Sequence, residues 1–199
     1  MNMQSKENFL KHYLLLPLIS LILLIILFQI PSLDEKISIF FSTHQNTFLH
    51  VCMNIITLFG SAYFLLLFTI IFALLLYKKK RTRASLAAFI LLIGAVVIEY
   101  ILKYAIQKQR PSLITQTASL DYSFPSGHAL VSTVIYGYLA YLFWPKYKKT
   151  AIAVLIIPFF IGFSRIYLNL HWLTDVIAGF FFGSLWLILY LTKEKTEIQ

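Results

Sequence analysis

The chain has 199 residues, 59% of them hydrophobic and only 13% charged, where ordinary soluble domains run at roughly 45–50% and 25%. A water-soluble fold of this size has too little interior to hide that apolar surface, so the composition excludes a soluble globular domain and calls for a bilayer. The net charge of +9 does not indicate nucleic acid. The cations fall in short clusters between long apolar runs, such as Lys78, Lys79, Lys80, Arg81 and Arg83, which is the pattern of loops flanking membrane helices. Cys52 stands alone, which excludes an internal disulfide and a cysteine-based metal site.

Stretches apolar enough to cross a bilayer, each needing about 17–25 residues, fall at 12–30, 50–77, 84–104, 128–144, 150–167 and 172–192. The predicted fold is all-α: a six-transmembrane-helix bundle forming a single integral membrane domain over 1–199. The first segment follows Lys6 and Lys11, as a signal peptide would. Its apolar run exceeds the about 7–15 residues of a signal sequence and no small-residue cleavage site follows, so it reads as an uncleaved anchor. Next, Ser32 and Glu35 have capping-box spacing, and 33–42 mixes charge with Ile37, Ile39, Phe40 and Phe41. A short helix in the membrane interface and a plain loop both fit. The fourth and fifth segments are shorter and bring Gly137, Pro145 and Pro158, which membrane helices tolerate when neighbours satisfy the freed backbone groups. The third and fourth are joined through 105–124, no internal repeat is evident, and the polar stretch 193–199 reads as a solvated end.

Orientation follows from the cations. With the N-terminus inside, Lys6, Lys11, the five of 78–83, Lys146, Lys148, Lys149, Lys193 and Lys195 are cytoplasmic. Only Lys36, Lys103, Lys108, Arg110 and Arg165 lie outside. This asymmetry predicts a multi-pass protein of the plasma membrane with both termini cytoplasmic.

Ionisable residues at membrane depth are costly, so each is a functional candidate. Glu99, Lys103, His128, Arg165, His171 and Asp175 stand in or beside apolar segments, with Arg110 in the adjoining loop. The topology brings the ends of helices 3 to 6 that bear them to one, outward face. Lys103, Arg110 and Arg165 supply three positive charges suited to phosphate oxygens. Pro125-Ser126-Gly127-His128 precedes a helix, whose N-terminus attracts anions, and the glycine lets the backbone come close. His171 and Asp175 are four residues apart, on one helix face. A carboxylate on one ring nitrogen frees the other to attack, and His128 can protonate a leaving oxygen. Together these residues make a phosphotransfer site.

Three strings, Lys103-YAIQKQ-Arg110-Pro111, Pro125-Ser126-Gly127-His128 and Ser164-Arg165-IYLNL-His171-WLT-Asp175, resemble the type-2 phosphatidic acid phosphatase superfamily, and within it the bacterial membrane lipid phosphatases of the phosphatidylglycerophosphatase B-like kind. The resemblance implies that His171 is the nucleophile and forms a phosphohistidine, that Asp175 orients it, and that His128 is the general acid and then the base. It assigns Lys103, Arg110, Ser126, Gly127 and Arg165 to phosphate binding, with Pro111, Pro125 and Ser164 in support, and it implies no metal and no cofactor. The substrate would be a phospholipid or polyprenyl phosphate, with phosphatidylglycerol phosphate favoured over undecaprenyl diphosphate and phosphatidic acid.

Other features have plainer readings. His12, His44 and His50 are expected to be structural. Glu99, one turn before Lys103, either positions that lysine or makes a polar contact between helices. Gly179 and Gly183 form a small-residue stripe best read as helix packing within the bundle rather than a dimer contact. Ser126 lacks the strand–turn surroundings of a serine nucleophile. Trp172 and Trp186 read as lipid-facing or core residues, Trp172 marking the outer interface. A lipid-phosphate transporter is the non-enzymatic alternative, but it leaves two histidines and an aspartate beside the anion cradle unexplained.

Overall fold

A computed structural model describes residues 3–30, 32–111 and 121–196. The 112–120 part of the 105–124 connection, and 197–199 of the polar tail, lie outside the described residues. The described residues hold nine helices and no strand. These are α1 (Met3–Tyr13), α2 (Leu15–Phe28), α3 (Ser32–Thr43), α4 (Thr47–Leu58), α5 (Ala62–Lys78), α6 (Thr82–Ile106), α7 (Gly127–Phe143), α8 (Lys148–Tyr167) and α9 (Leu173–Thr196).

Among the described residues, four helical stretches are long and apolar enough to cross a membrane: Glu7–Phe28, Thr82–Ile106, Lys148–Tyr167 and Leu173–Lys193. The expected continuous helix over 50–77 is instead two, α4 and α5, bent by 44°. The break has a local cause. Ser61 leaves the helical region and its side chain accepts a hydrogen bond from the Phe64 amide at 3.3 Å, starting a new helix, while Gly60 packs so tightly that a Cβ there would strike Ile161. The alternatives for 33–42 resolve as a helix, α3, with Asp34 and Glu35 in its first turn. The start of the 193–199 tail continues α9 through Thr196.

α7 is the centre of the bundle. Its 17 residues reach about 25 Å at 1.5 Å per residue, short of the roughly 30 Å hydrocarbon core, and it is buried almost all round, from Ala129 through Tyr138 without interruption. It packs chiefly on α8 and α9. Small residues allow this close approach: a Cβ on Gly183 would lie 2.6 Å from the Leu130 carbonyl, and one on Gly179 would lie 2.8 Å from that of Ser126. The Gly179/Gly183 stripe is thus a packing face within the bundle. Gly137 gives room to Leu187 and Tyr13, so the N-terminal helix docks through Tyr13, whose hydroxyl donates to the Thr133 carbonyl. Pro145 lies just past the end of α7, where proline stops a helix without cost, and Pro158 is accommodated inside α8.

Candidate active site

The end of α6, the start of α7, the end of α8 and the start of α9 meet at one end of the bundle. Between them lies a cavity of about 380 Å³ whose lining includes Glu99, Lys103, Arg110, Asp121, Gly127, His128, Arg165 and His171. Leucines and valines of α5, α6 and α7 (Leu65, Leu66, Leu92, Val96 and Val131) line the rest. The cavity therefore has a charged head and an apolar body, as a phosphorylated amphiphile requires.

The α8–α9 turn fixes His171. Asn169 adopts a left-handed backbone (φ 56°), which asparagine tolerates better than most residues. Its side chain accepts from the Ser38 hydroxyl at 2.9 Å and donates to the Ser38 carbonyl at 3.1 Å, so α3 clamps the turn. His171 follows, 3% exposed, with Nδ1 2.8 Å from the Ser123 carbonyl oxygen. A carbonyl can only accept, so Nδ1 carries the proton and Nε2 keeps its lone pair. Arg110 Nη1 donates toward that lone pair at 3.2 Å. Burial pushes the His171 imidazolium down to about 4, leaving a neutral ring at physiological pH.

Asp175, expected as the direct partner of His171, is its second neighbour: Oδ2 lies 3.6 Å from Nδ1 and accepts from the Trp172 amide at 2.9 Å. Its Oδ1 faces Lys108 Nζ at 3.1 Å. Lys108 in turn reaches Asp34 at 3.0 Å and the Thr174 hydroxyl at 2.6 Å, and Asp34 accepts from the Thr174 amide at 3.1 Å. A fully buried carboxylate without a cation would be strongly disfavoured; Lys108 and α3 supply the compensation.

The three expected phosphate-binding cations come together. Lys103, 6% exposed, pairs with Glu99 at 3.2 Å and with Asp121. Arg110 donates from Nε to the Asp121 carbonyl at 3.1 Å and from Nη1 to the Leu170 carbonyl at 2.7 Å. Burial pushes its guanidinium down and Asp121 opposes that shift. Arg165 donates from Nη1 to Thr57 at 2.9 Å, and its buried Nε has no protein partner. The buried Ser126 hydroxyl is likewise unpartnered. The Ser126 amide, expected to hold phosphate, instead donates to the Asp175 carbonyl at 3.0 Å because α9 packs against the start of α7. The first turn of α7 has no side-chain cap, leaving its N-terminal end toward the cavity. Gly127 makes room for Glu99, whose carboxylate a Cβ would strike. Pro111 and Pro125 are buried beside these loops, and Ser164 bonds to the Ile161 carbonyl of its own helix at 2.6 Å, not into the cavity.

His12 bonds a carbonyl one turn back in α1, His44, just past the end of α3, bonds the Phe40 carbonyl, and neither they nor His50 line the cavity. Trp172 donates to the Gln109 carbonyl at 2.7 Å with Lys108 over its ring, and Trp186 donates to the Leu91 carbonyl at 3.1 Å. Among the described residues, no cluster of three or more His, Cys, Asp or Glu side chains is arranged to hold a metal. Sequence reasoning missed Asp34, Asp121, Ser123 and Thr57. The two aspartates had a usable signal: the whole chain has only eight acidic residues.

Apolar helices enclosing a cation-lined cavity that holds two histidines define a membrane-embedded phosphatase of lipid phosphates. The PAP2 superfamily model matches residues 83–198, and the chain belongs to that superfamily. It is 29% identical over 175 residues to phosphatidylglycerophosphatase B of Bacillus subtilis, covering 84% of this chain and 85% of that one. It is 32% identical over 131 residues to an undecaprenyl-diphosphatase of Sulfolobus acidocaldarius, covering 62% of each. The crystal structure of a transmembrane PAP2-type phosphatidylglycerolphosphate phosphatase from Bacillus subtilis superposes with a TM-score of 0.77 at 28% identity, covering 94% of this chain and 97% of that one.

Proposed function

We propose that the protein removes the terminal phosphate from phosphatidylglycerol phosphate through a phosphohistidine on His171. The observation that carries this reading is the His171 tautomer: Nδ1–H is held by the Ser123 carbonyl, and Nε2 points its lone pair at Arg110 within the cation-lined cavity. Nε2 attacks phosphorus as the ester P–O bond breaks, and His128 gives its proton to the departing lipid oxygen. His128 then takes a proton from water, the resulting hydroxide attacks phosphorus, the P–N bond breaks and inorganic phosphate leaves. Lys103, Arg110, Arg165, the Ser126 hydroxyl and the Gly127 end of α7 hold the phosphoryl oxygens. Asp175, paired with Lys108 at 3.1 Å, balances the positive charge that His171 acquires. Glu99 positions Lys103, and Pro111, Pro125 and Ser164 support the loops.

In the bilayer, the bent α4–α5 pair and the short α7 join the four longer stretches to make six crossings. Both termini are cytoplasmic and the cavity opens at the outer face of the plasma membrane. The favoured substrate follows the Bacillus subtilis relatives; undecaprenyl diphosphate and phosphatidic acid are the alternatives to compete against it. The transporter alternative is set aside, because the chain belongs to a phosphatase superfamily.

The test is phosphate release in detergent, with chelator present, from the three lipids offered singly and in competition. Release from at least one, inhibition by vanadate and loss of release in His171→Ala are expected. Full activity in His171→Ala contradicts the mechanism, and preference for another lipid replaces the substrate.

A further inference from the structure

Two carboxylates hold Lys103, and they differ in the freedom to leave. Glu99 sits on α6, its carboxylate wedged into the space where Gly127 lacks a side chain, with 22% of its side chain exposed. Asp121 lies on a loop and is 44% exposed. Glu99 touches one of the cations, whereas Asp121 engages two: it pairs with Lys103, its Oδ2 lies 3.8 Å from Arg110 Nη2, and its own carbonyl accepts from Arg110 Nε. A half-exposed carboxylate thus occupies the cations proposed to receive phosphate, while Arg110 Nη1 covers the His171 lone pair.

A membrane phosphatase faces a selection problem that a soluble one does not. Most lipid around it carries phosphate as a diester with one negative charge, and three unguarded cations would bind it. We infer that Asp121 is a specificity-determining residue, a displaceable counter-anion that keeps phosphodiesters off Lys103 and Arg110 and gives way to a terminal phosphate monoester. Exchanging one singly charged anion for another gains no charge. A monoester carries about −1.5 to −2 at pH 7, so it outcompetes the carboxylate, which swings into water and is rehydrated there. Glu99 cannot do this, because leaving Lys103 would strand a charge against Gly127. The inference rests on Lys103 and Arg110 binding phosphate as proposed above.

The experiment compares wild type with Asp121→Asn, Asp121→Ser and Asp121→Glu in detergent, using dioctanoyl phosphatidylmethanol as the diester probe. Two readouts are taken: its Ki against hydrolysis of dioctanoyl phosphatidic acid, and the shift it causes in Tm. The carboxylate-free variants should show a Ki lower by roughly two- to fivefold, the size expected when a half-exposed ion pair no longer has to be broken. The diester should also stabilise them measurably. Wild type and Asp121→Glu should show neither effect. If Asp121 merely orients Lys103, its loss weakens anion binding and Ki rises, the opposite sign. A Ki that rises or stays unchanged, or a Tm shift equal in all four proteins, overturns the inference. The Tm readout needs no turnover, so a fully active His171→Ala would sink the catalytic reading without touching this one.

Discussion

α5 and α7 have the same length, 17 residues, and both are apolar, yet they occupy opposite environments. α5 is rich in Leu, Ile and Phe and buries one narrow stripe, Leu65, Thr69, Ala73 and Leu76; Leu67, Ile71 and Leu74 on its other face are exposed. α7 spreads Ser132, Thr133, Gly137 and several tyrosines among its aliphatics and is buried almost throughout. In water the greasier helix would be the inner one. In a bilayer large side chains gain nothing by leaving lipid, and what draws helices together is close packing and polar contact. The less greasy helix therefore sits at the centre, and its N-terminus is free to form the floor of the site.

Substitutions can break or sharpen this contrast. The largest difference is expected at the N-terminal ends: His128→Ala at the start of α7 should cut turnover by about 10²–10⁴-fold, the usual worth of a general acid. Tyr63→Ala at the start of α5, 88% exposed, should leave turnover unchanged in the same phosphate-release assay. Next is packing. Gly183→Leu, driven against the Leu130 carbonyl of α7, should cost about 1–3 kcal/mol or more from overpacking, read as a lower Tm in detergent. Leu67→Ala on the lipid face of α5 should stay within about 0.5 kcal/mol. The smallest effect is one of pH. Because the His171 pKa is lowered by burial from 6.5 to about 4, the folded protein keeps the neutral ring as pH falls, while the unfolded chain takes up a proton below about 6.5. The stability from this group is whole above about 6.5 and is lost progressively toward pH 4. Nitrogen NMR of labelled histidine should show an unprotonated Nε2 at pH 5, and protonation there near pH 6.5 would contradict the burial argument.

The ionisable residues of the candidate site were legible in the sequence and their supports were not, for a physical reason. Glu99, Lys103, His128, Arg165, His171 and Asp175 stand out because ionisable groups are conspicuous in or beside apolar runs, Arg110 adjoins them in a loop, and the structure brings all seven to one end. The partner that fixes the His171 tautomer is a backbone carbonyl, at Ser123, which has no side-chain signature. Asp34 comes from α3, 140 residues before its contact Thr174, a pairing no local pattern announces. The break at Gly60–Ser61 lies inside one apolar run, 50–77, which hydropathy alone reads as a single helix. α7 was read as one spanning segment among six, since hydropathy does not say which helix lies inside.

Covalent chemistry at His171 is the step on which the proposed reaction depends. The most direct measurement is rapid quenching after mixing with a substrate carrying radiolabelled phosphate. The expected result is label on the wild-type protein that is stable in base and lost in acid, slower both to appear and to clear in His128→Ala, and absent from His171→Ala. Label persisting on His171→Ala, or turnover with no labelled protein in either wild type or His128→Ala, would contradict it.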